Sequence, residues 1–145
     1  MRILFVTQIF PPEMGALPNR LYPLVRELVA EGHEVAVATG MPNYPRGVVF
    51  PEYTGKRSMR EQVNGYTIFR RSYYTAPRNQ SKVSQLRNYL SFIPAVLLAG
   101  LRAGKVDVGA AADAAVEQHR HALLFHAQVV CVHVVTVSLV RVLVT

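Results

Sequence analysis

Residues 3–7 read Ile-Leu-Phe-Val-Thr, an unbroken apolar run that is typical of a strand covered on both faces, as in a parallel sheet. The run is too short for the core of a signal peptide, so we interpret it as a buried strand. Residues 8–16 follow as a loop, because they contain Pro11, Pro12 and Gly15. This strand and loop decide how the rest of the chain is interpreted.

The residues after this loop change to a helical period. Apolar residues recur on one stripe from about Asn19, and they are Leu21, Leu24, Val25, Leu28 and Val29. Pro18-Asn19 offers a start for this helix and Gly32 a C-terminal stop. Glu34–Thr39, with the sequence EVAVAT, predicts a second strand. A strand, a helix and a strand in this order predict a right-handed βαβ unit with parallel strands.

Further elements extend this pattern. Asn64-Gly65 between alternating residues predicts a hairpin within Arg60–Arg71. Residues 84–101 predict a helix that Pro94 kinks or splits, and Lys105–Val108 begins another strand. The expected fold class is therefore α/β, with a Rossmann-like parallel sheet and an added β-hairpin near residues 60–71.

The composition changes at residue 109. The segment 109–145 holds four of the five histidines, the single cysteine Cys131 and no lysine. Within it, Gly109–Ala127 predicts a helix and Val129–Thr145 is valine-rich and strand-prone. We expect two parts, a partial Rossmann-like domain at 1–108 and an atypical tail at 109–145. We expect no metal, because the tail histidines lack zinc-enzyme spacing. No cofactor is expected either.

The positive charge is concentrated in the middle of the chain. The net charge is +7, and residues 62–106 contain no acidic residue but carry Arg70, Arg71, Arg78, Lys82, Arg87, Arg102 and Lys105. Such a stretch suits an anionic partner, either phosphate, pyrophosphate or an acidic bilayer surface. A solvated basic face without a partner is an equal alternative. No nucleic acid is expected, because no recognised binding motif accompanies the basic residues.

The loop after the first strand is the expected ligand site, because parallel sheets bind ligands outside the carboxyl ends of their strands. Gly15 allows close backbone approach, and the first amides of the following helix favour an anion. A simple turn role for Gly15 stays open. The chain has neither a Gly-x-Gly-x-x-Gly sequence nor a Walker motif, which removes the main support for dinucleotide binding and P-loop phosphotransfer.

Several short motifs together carry a family resemblance. They are Arg2–Gly15 (RILFVTQIFPPEMG), Gly32–Val35 (GHEV), Gly40–Gly47 (GMPNYPRG), Tyr53–Lys56 (YTGK) and Arg87–Phe92 (RNYLSF). In combination they resemble the N-terminal, acceptor-side domain of family-4 GT-B glycosyltransferases of bacterial surface-polysaccharide biosynthesis. The likeness covers roughly three quarters of the chain, up to Asp107-Val108.

The resemblance implies transfer of a sugar, with retention, from a nucleotide-sugar to a glycan or lipid-linked sugar acceptor. It assigns substrate binding to Gly15, Ala16, Arg20, Asn43, Tyr44 and Arg46. Ala16 replaces the second glycine of the family's usual pair, which opposes close backbone approach there. Loop packing for Tyr44 and a solvated charge for Arg46 are equal alternatives, and no catalytic residue is assigned.

The resemblance also implies that the chain is truncated. The donor domain of the family is missing, and the family's pattern is lost after residue 108, so we expect a chain that is inactive alone. Our hypothesis for the tail is a shifted reading frame. The implied location is cytoplasmic, with peripheral contact at the inner face of the cytoplasmic membrane as an option. The alternatives are a non-catalytic half of a split transferase, which binds a membrane surface or a partner, and an unrelated flavodoxin-like protein.

Overall fold

The computed structural model describes residues 1–75, 77 and 81–112. Its elements are, in chain order, β1 (Arg2–Thr7), α1 (Ala16–Ala30), β2 (Glu34–Gly40), a 3-10 turn (Pro51–Tyr53), β3 (Ser58–Val63), β4 (Tyr66–Arg71), α2 (Lys82–Leu101) and β5 (Val108–Ala112). The strands form one sheet in the order β3-β4-β2-β1-β5. All neighbouring pairs are parallel except β3 and β4, which form an antiparallel hairpin. The predicted α/β class, with a Rossmann-like sheet and an added hairpin, is confirmed.

The sheet buries a hydrophobic cluster on each face, because successive side chains of a strand point to opposite sides. The cluster on the α2 face contains Leu4, Val6, Ala36, Ala38, Phe69, Phe92, Val96, Ala99 and Val106. The cluster on the α1 face contains Ile3, Phe5, Phe10, Leu21, Val25, Val35, Val37, Tyr66 and Ile68. The unbroken apolar runs of β1 and β2 are thus explained by burial on both faces.

Helix α1 begins at Ala16, earlier than the predicted start at Asn19. Pro18 lies buried in the first turn, where its missing N–H has no helical partner in any case. The predicted stop at Gly32 is confirmed, since its φ is 85°. Beyond it the His33 amide donates to the Leu28 carbonyl at 3.0 Å, and the Gly32 amide donates to Val29 at 3.0 Å. These two bonds form a Schellman motif.

The hairpin turns at the predicted residues. Asn64 has φ 48° and Gly65 has φ 88°, so both central residues adopt the left-handed region of a type I′ turn. Val63 therefore pairs with Tyr66 directly across the turn. The hairpin adds β3 as an antiparallel edge strand outside β4.

Helix α2 runs from Lys82 to Leu101 as one helix, with Pro94 inside it. The expectation that Pro94 could split the helix is wrong. The hydroxyl oxygen of Ser81 caps the helix by accepting from the Ser84 amide at 3.4 Å. In the described part of the chain, neither helix combines the length and the apolar character that crossing a bilayer requires.

Strand β5 corrects the prediction for the residues after 108. Residues 109–112, expected to begin a helix, pair in parallel with β1. The Arg2 amide donates to the Asp107 carboxylate at 2.7 Å, and the Asp107 amide donates to the Arg2 carbonyl at 2.8 Å. These bonds align the chain with the free edge of β1, and the strand ladder then satisfies the backbone of 109–112 in place of a helix. The rest of the predicted helix and the strand-prone Val129–Thr145 lie outside the described residues.

The left-handed turn provides a test of the hairpin. We expect Gly65→Ala to lower the free energy of unfolding by about 1–2 kcal/mol, because a Cβ is disfavoured at this φ, and the added Cβ would lie 2.8 Å from Val29 Cγ1. Asn64→Gly is the matched control, and its change should stay within about 0.5 kcal/mol. Urea denaturation measures both; equal effects at the two positions would contradict the turn geometry.

Candidate functional site

Two loops meet at the carboxyl edge of the sheet, one after β1 and one after β2. Glu13 joins them, and its side chain is 2% exposed. One carboxylate oxygen, Oε1, accepts from the Asn43 and Tyr44 amides at 2.8 Å each. The other, Oε2, accepts from the Phe10 amide at 3.1 Å. A single buried carboxylate therefore sets the position of the second loop relative to the first.

Burial raises the pKa of the Glu13 carboxyl above its ordinary value. The three backbone N–H bonds and the Arg70 guanidinium act against this shift, since they favour the ionised form. Because the pKa of Glu13 is higher in the folded chain than in the unfolded chain, the folded chain binds more protons in the pH window between these two pKa values. Ionisation of Glu13 thus makes the free energy of unfolding fall as pH rises through that window.

Arg70, on β4, is the second buried charge at this edge and is 1% exposed. Its Nε donates to Glu61 Oε2 at 2.9 Å, and its Nη1 donates to the Gly40 carbonyl at 3.5 Å. Its Nη2 donates to the Pro11 carbonyl of the first loop. The guanidinium carbon also lies 5.3 Å from the centre of the Tyr53 ring. The basic stretch 62–106 is therefore not uniformly solvated, because Arg70 is committed to internal partners.

Asn43 connects the second loop to the segment after β4. Its Nδ2 donates to the Met41 carbonyl at 2.9 Å and to the Tyr73 hydroxyl at 2.7 Å. Burial raises the pKa of the Tyr73 hydroxyl far above its ordinary value, which keeps it neutral. The Tyr73 ring packs against Gly40, where an added Cβ would lie 2.2 Å from Cε1. Gly40 is thus required by the ring that covers it.

A second set of contacts ties α2 to the same edge. Gln8 Nε2 donates to Asn88 Oδ1 at 3.0 Å, and Asn88 Nδ2 donates to the Tyr74 carbonyl at 2.7 Å. The Tyr74 amide donates to Ser91 Oγ at 2.9 Å. The guanidinium carbon of the exposed Arg87 lies 4.5 Å from the centre of the Tyr74 ring. The first third of α2 therefore borders the loop after β1.

The predicted site residues fall into two groups. Gly15 is the N-cap of α1 with extended backbone, and an added Cβ would contact the Tyr44 ring at 3.4 Å. The structure thus brings Gly15 and Tyr44 together, and the backbone amides of Tyr44 and Asn43 donate hydrogen bonds to the Glu13 carboxylate. The packing alternative for Tyr44 is supported by this contact.

The other three predicted residues have exposed side chains. Ala16 and Arg20 lie one turn apart on α1, so they share a face of the helix, and Arg46 lies in the second loop. The first amides of α1 have no partner within the helix. Two exposed arginines therefore lie on the elements that border this edge. That any of the six residues binds a ligand stays a prediction.

Sequence reasoning assigned no role to Glu13, Arg70 or Tyr73. Glu13 stands inside the quoted FPPE motif, but an acidic residue in a loop gives no sign that three amides will converge on it. A signal for the Arg70 ion pair was available. With the turn at Asn64-Gly65, Glu61 pairs with Ile68 and Arg70 with Met59, so Glu61 and Arg70 are diagonal neighbours on one face.

The described residues hold no group of three or more His, Cys, Asp or Glu side chains placed to bind one metal ion. Of the five histidines, only His33 is among them, so the tail histidines lie outside this observation.

Comparison with known proteins relates the chain to a sugar-transferring enzyme. Over 92 residues, 63% of the chain, it is 33% identical to a protein of Escherichia coli (strain K12) provisionally named colanic acid biosynthesis glycosyl transferase WcaI. The matched part is 22% of that protein, so the chain spans about a fifth of the curated relative it matches. No family model matches the chain. No solved structure matches it either. The similarity supports a glycosyltransferase relationship.

The role of Glu13 in joining the loops is testable. We expect Glu13→Ala to lower the free energy of unfolding by about 2–3 kcal/mol, because it leaves three amide donors without their acceptor. Glu27→Ala, at an exposed position on α1, is the matched control and should change stability by less than about 0.5 kcal/mol. Denaturant titration of both variants gives the comparison, and a small effect at Glu13 would refute the role assigned to it.

Proposed function

We propose that this chain is the acceptor-side, N-terminal region of a family-4 GT-B glycosyltransferase of bacterial surface-polysaccharide biosynthesis. The observation that carries the proposal is the Glu13 carboxylate, which joins the loops after β1 and β2 at the carboxyl edge of the sheet. That edge is where parallel α/β sheets bind ligands. The 33% identity to a glycosyl transferase of colanic acid biosynthesis supports the same assignment.

In the proposed reaction, a sugar passes from a nucleotide-sugar to a glycan or lipid-linked sugar acceptor with retention of configuration. The residues of this chain bind and orient the acceptor, and they do not form or break a bond themselves. Arg20, Arg46 and the first amides of α1 hold the negative charge of a sugar diphosphate. Gly15, Ala16, Asn43 and Tyr44 line the surface beside it.

The domain assignment belongs to the same proposal. Residues 1–108 form a partial GT-B N-terminal domain, and 109–145 are a tail whose composition arises from a shifted reading frame. The composition change at 109 supports this, although β5 extends to Ala112. Sequencing the coding DNA tests the tail: a shifted frame near codon 108 should restore the family pattern, and its absence would end the hypothesis.

Acceptor binding can be measured on the chain itself. We expect a short-chain prenyl diphosphate sugar to shift the amide NMR signals of the non-proline residues within 15–20 and 43–46. Arg20→Gln and Arg46→Gln should each weaken this binding about tenfold, because each removes a charged hydrogen-bond donor. Arg26→Gln, an exposed arginine elsewhere on α1, is the control and should leave the affinity within about twofold. Shifts confined to other surfaces would overturn the assignment.

Transfer by these 145 residues alone is a separate test. We expect no sugar transfer when the chain is incubated with nucleotide-sugars and the prenyl diphosphate acceptor, because the residues that hold a donor lie on the second domain of the family. Radiolabelled donor and chromatography of the lipid product give the measurement. Transfer above the no-protein background, lost in the Arg20→Gln variant, would show that the donor is held within this chain.

A further inference from the structure

Tyr74, in the segment after β4, is held against one side of α2 at four points. Its hydroxyl lies 2.9 Å from Ser84 Oγ, and its amide donates to Ser91 Oγ at 2.9 Å. Its carbonyl accepts from Asn88 Nδ2 at 2.7 Å, and the guanidinium carbon of Arg87 lies 4.5 Å from the centre of its ring. These four residues of α2 follow one another at spacings of three, one and three, so they share one side of the helix, termed here the polar side of α2.

The Tyr74 ring orders the exposed side chain of Arg87. A guanidinium is attracted to an aromatic face, and this ring is kept in place by the three hydrogen bonds that Tyr74 forms with α2. Within the described residues, the Arg87 side chain donates no hydrogen bond and forms no ion pair. Residues 62–106 also contain no acidic residue. Arg87 is therefore an ordered cation whose N–H donors are available to a ligand.

The polar side of α2 borders the candidate site. Asn88, the neighbour of Arg87 in the chain, accepts from Gln8 Nε2 at 3.0 Å, and Gln8 is the first residue after β1. Helix α1 follows the same loop and packs on the other face of the sheet, since the two helices belong to different hydrophobic clusters. Arg87 and the beginning of α1 thus flank the loop after β1 from opposite faces of the sheet.

The beginnings of the two helices suit different anions. Helix α1 begins after Gly15, which has no side chain to cap it, so its first amides favour a phosphate. Helix α2 is closed by its own cap, because Ser81 Oγ accepts from the Ser84 amide at 3.4 Å. The guanidinium of Arg87 is thus a single planar donor group that works without helix amides. A carboxylate matches it in shape and charge, since the two groups form a planar pair with two parallel hydrogen bonds.

We propose that Arg87 binds the carboxylate of an acidic sugar, a hexuronic acid residue of the acceptor glycan. Two N–H groups of the guanidinium donate to the two carboxylate oxygens, while the Tyr74 ring supports the guanidinium from its other side. This deepens the proposed function by naming the class of acceptor, and it rests on that function for the statement that the ligand is an acceptor. It also gives a role to the Arg87–Phe92 motif, from which no site residue was assigned.

NMR titration of the full 145-residue chain with methyl glucuronide tests the site, and methyl glucoside is the neutral comparison with the same ring. We expect the glucuronide to shift the Nε–H signal of Arg87 and the amide signals of Tyr74 and Asn88. The glucoside should bind at least about tenfold more weakly, because it lacks the charged acceptor of the pair. Inorganic phosphate should also bind more weakly than the glucuronide, as measured by the same three signals.

Three variants separate the charge, the planar donor group and the packing of Arg87. Arg87→Gln should weaken binding of the glucuronide at least about tenfold, because it removes the charged donor. Arg87→Lys keeps the charge but loses the paired donors, and the affinity should fall about fivefold. Arg102→Gln is the matched control, since Arg102 is an exposed arginine at the other end of α2, and it should leave the affinity within about twofold. Circular dichroism with thermal unfolding checks the fold of each variant, and Arg87→Lys decides if Arg87→Gln does not fold.

Several results would overturn the proposal. If the glucuronide leaves the three signals unchanged, or if the glucoside binds equally well, the site does not recognise a carboxylate. If inorganic phosphate binds as tightly as the glucuronide, the site is a general anion site. If Arg87→Gln binds like the parent chain but unfolds at a lower temperature, Arg87 only packs on Tyr74. The glucuronide contains no phosphate and the earlier acceptor-binding experiment varies Arg20 and Arg46, so either proposal can fail while the other stands.

Discussion

A carboxylate that is buried among three backbone amides is the constraint on which the candidate site depends. Without Glu13, the amides of Phe10, Asn43 and Tyr44 would point into the interior with no acceptor. An unpaired buried amide is costly, so the two loops are held together because each supplies donors to the same acceptor. Arg70 adds a cation to this interior and donates hydrogen bonds to the carbonyl oxygens of Pro11 and Gly40. The polar interior thus orders two loops that contain no strand and no α-helix.

This arrangement separates the charges that hold the edge together from the charges that face solvent. Arg70 donates to Glu61 at 2.9 Å and its guanidinium is wholly buried, so Arg70 is not available to a ligand. Arg20 and Arg46 remain exposed at the same edge. The charges that face solvent are thus separate from the contacts that position the loops.

The two faces of the sheet have different surroundings. The α1 face is covered by helix α1, whose outward side is mainly polar and carries the exposed Arg20, Arg26 and Glu27. The α2 face is covered by helix α2, whose outward side is apolar and bordered by cations. Because α2 also bonds to the loop after β1 through Asn88 and Gln8, this helix lies next to the candidate site.

The sequence by itself determined the elements and their order. The apolar runs at 3–7 and 34–39, the helical stripe before Gly32 and the Asn64-Gly65 turn are local patterns, and local patterns report the period of the backbone and the φ values it requires. They predicted the parallel pairing and the hairpin. Only the tertiary structure decided which side chains meet at the carboxyl edge of the sheet. Glu13 is far from Arg70 and Tyr73 in the chain, and their burial depends on loops brought together by strand order. The strand at 108–112 was decided in the same way, since the free edge of β1 outweighed the local helical preference of a run of alanines.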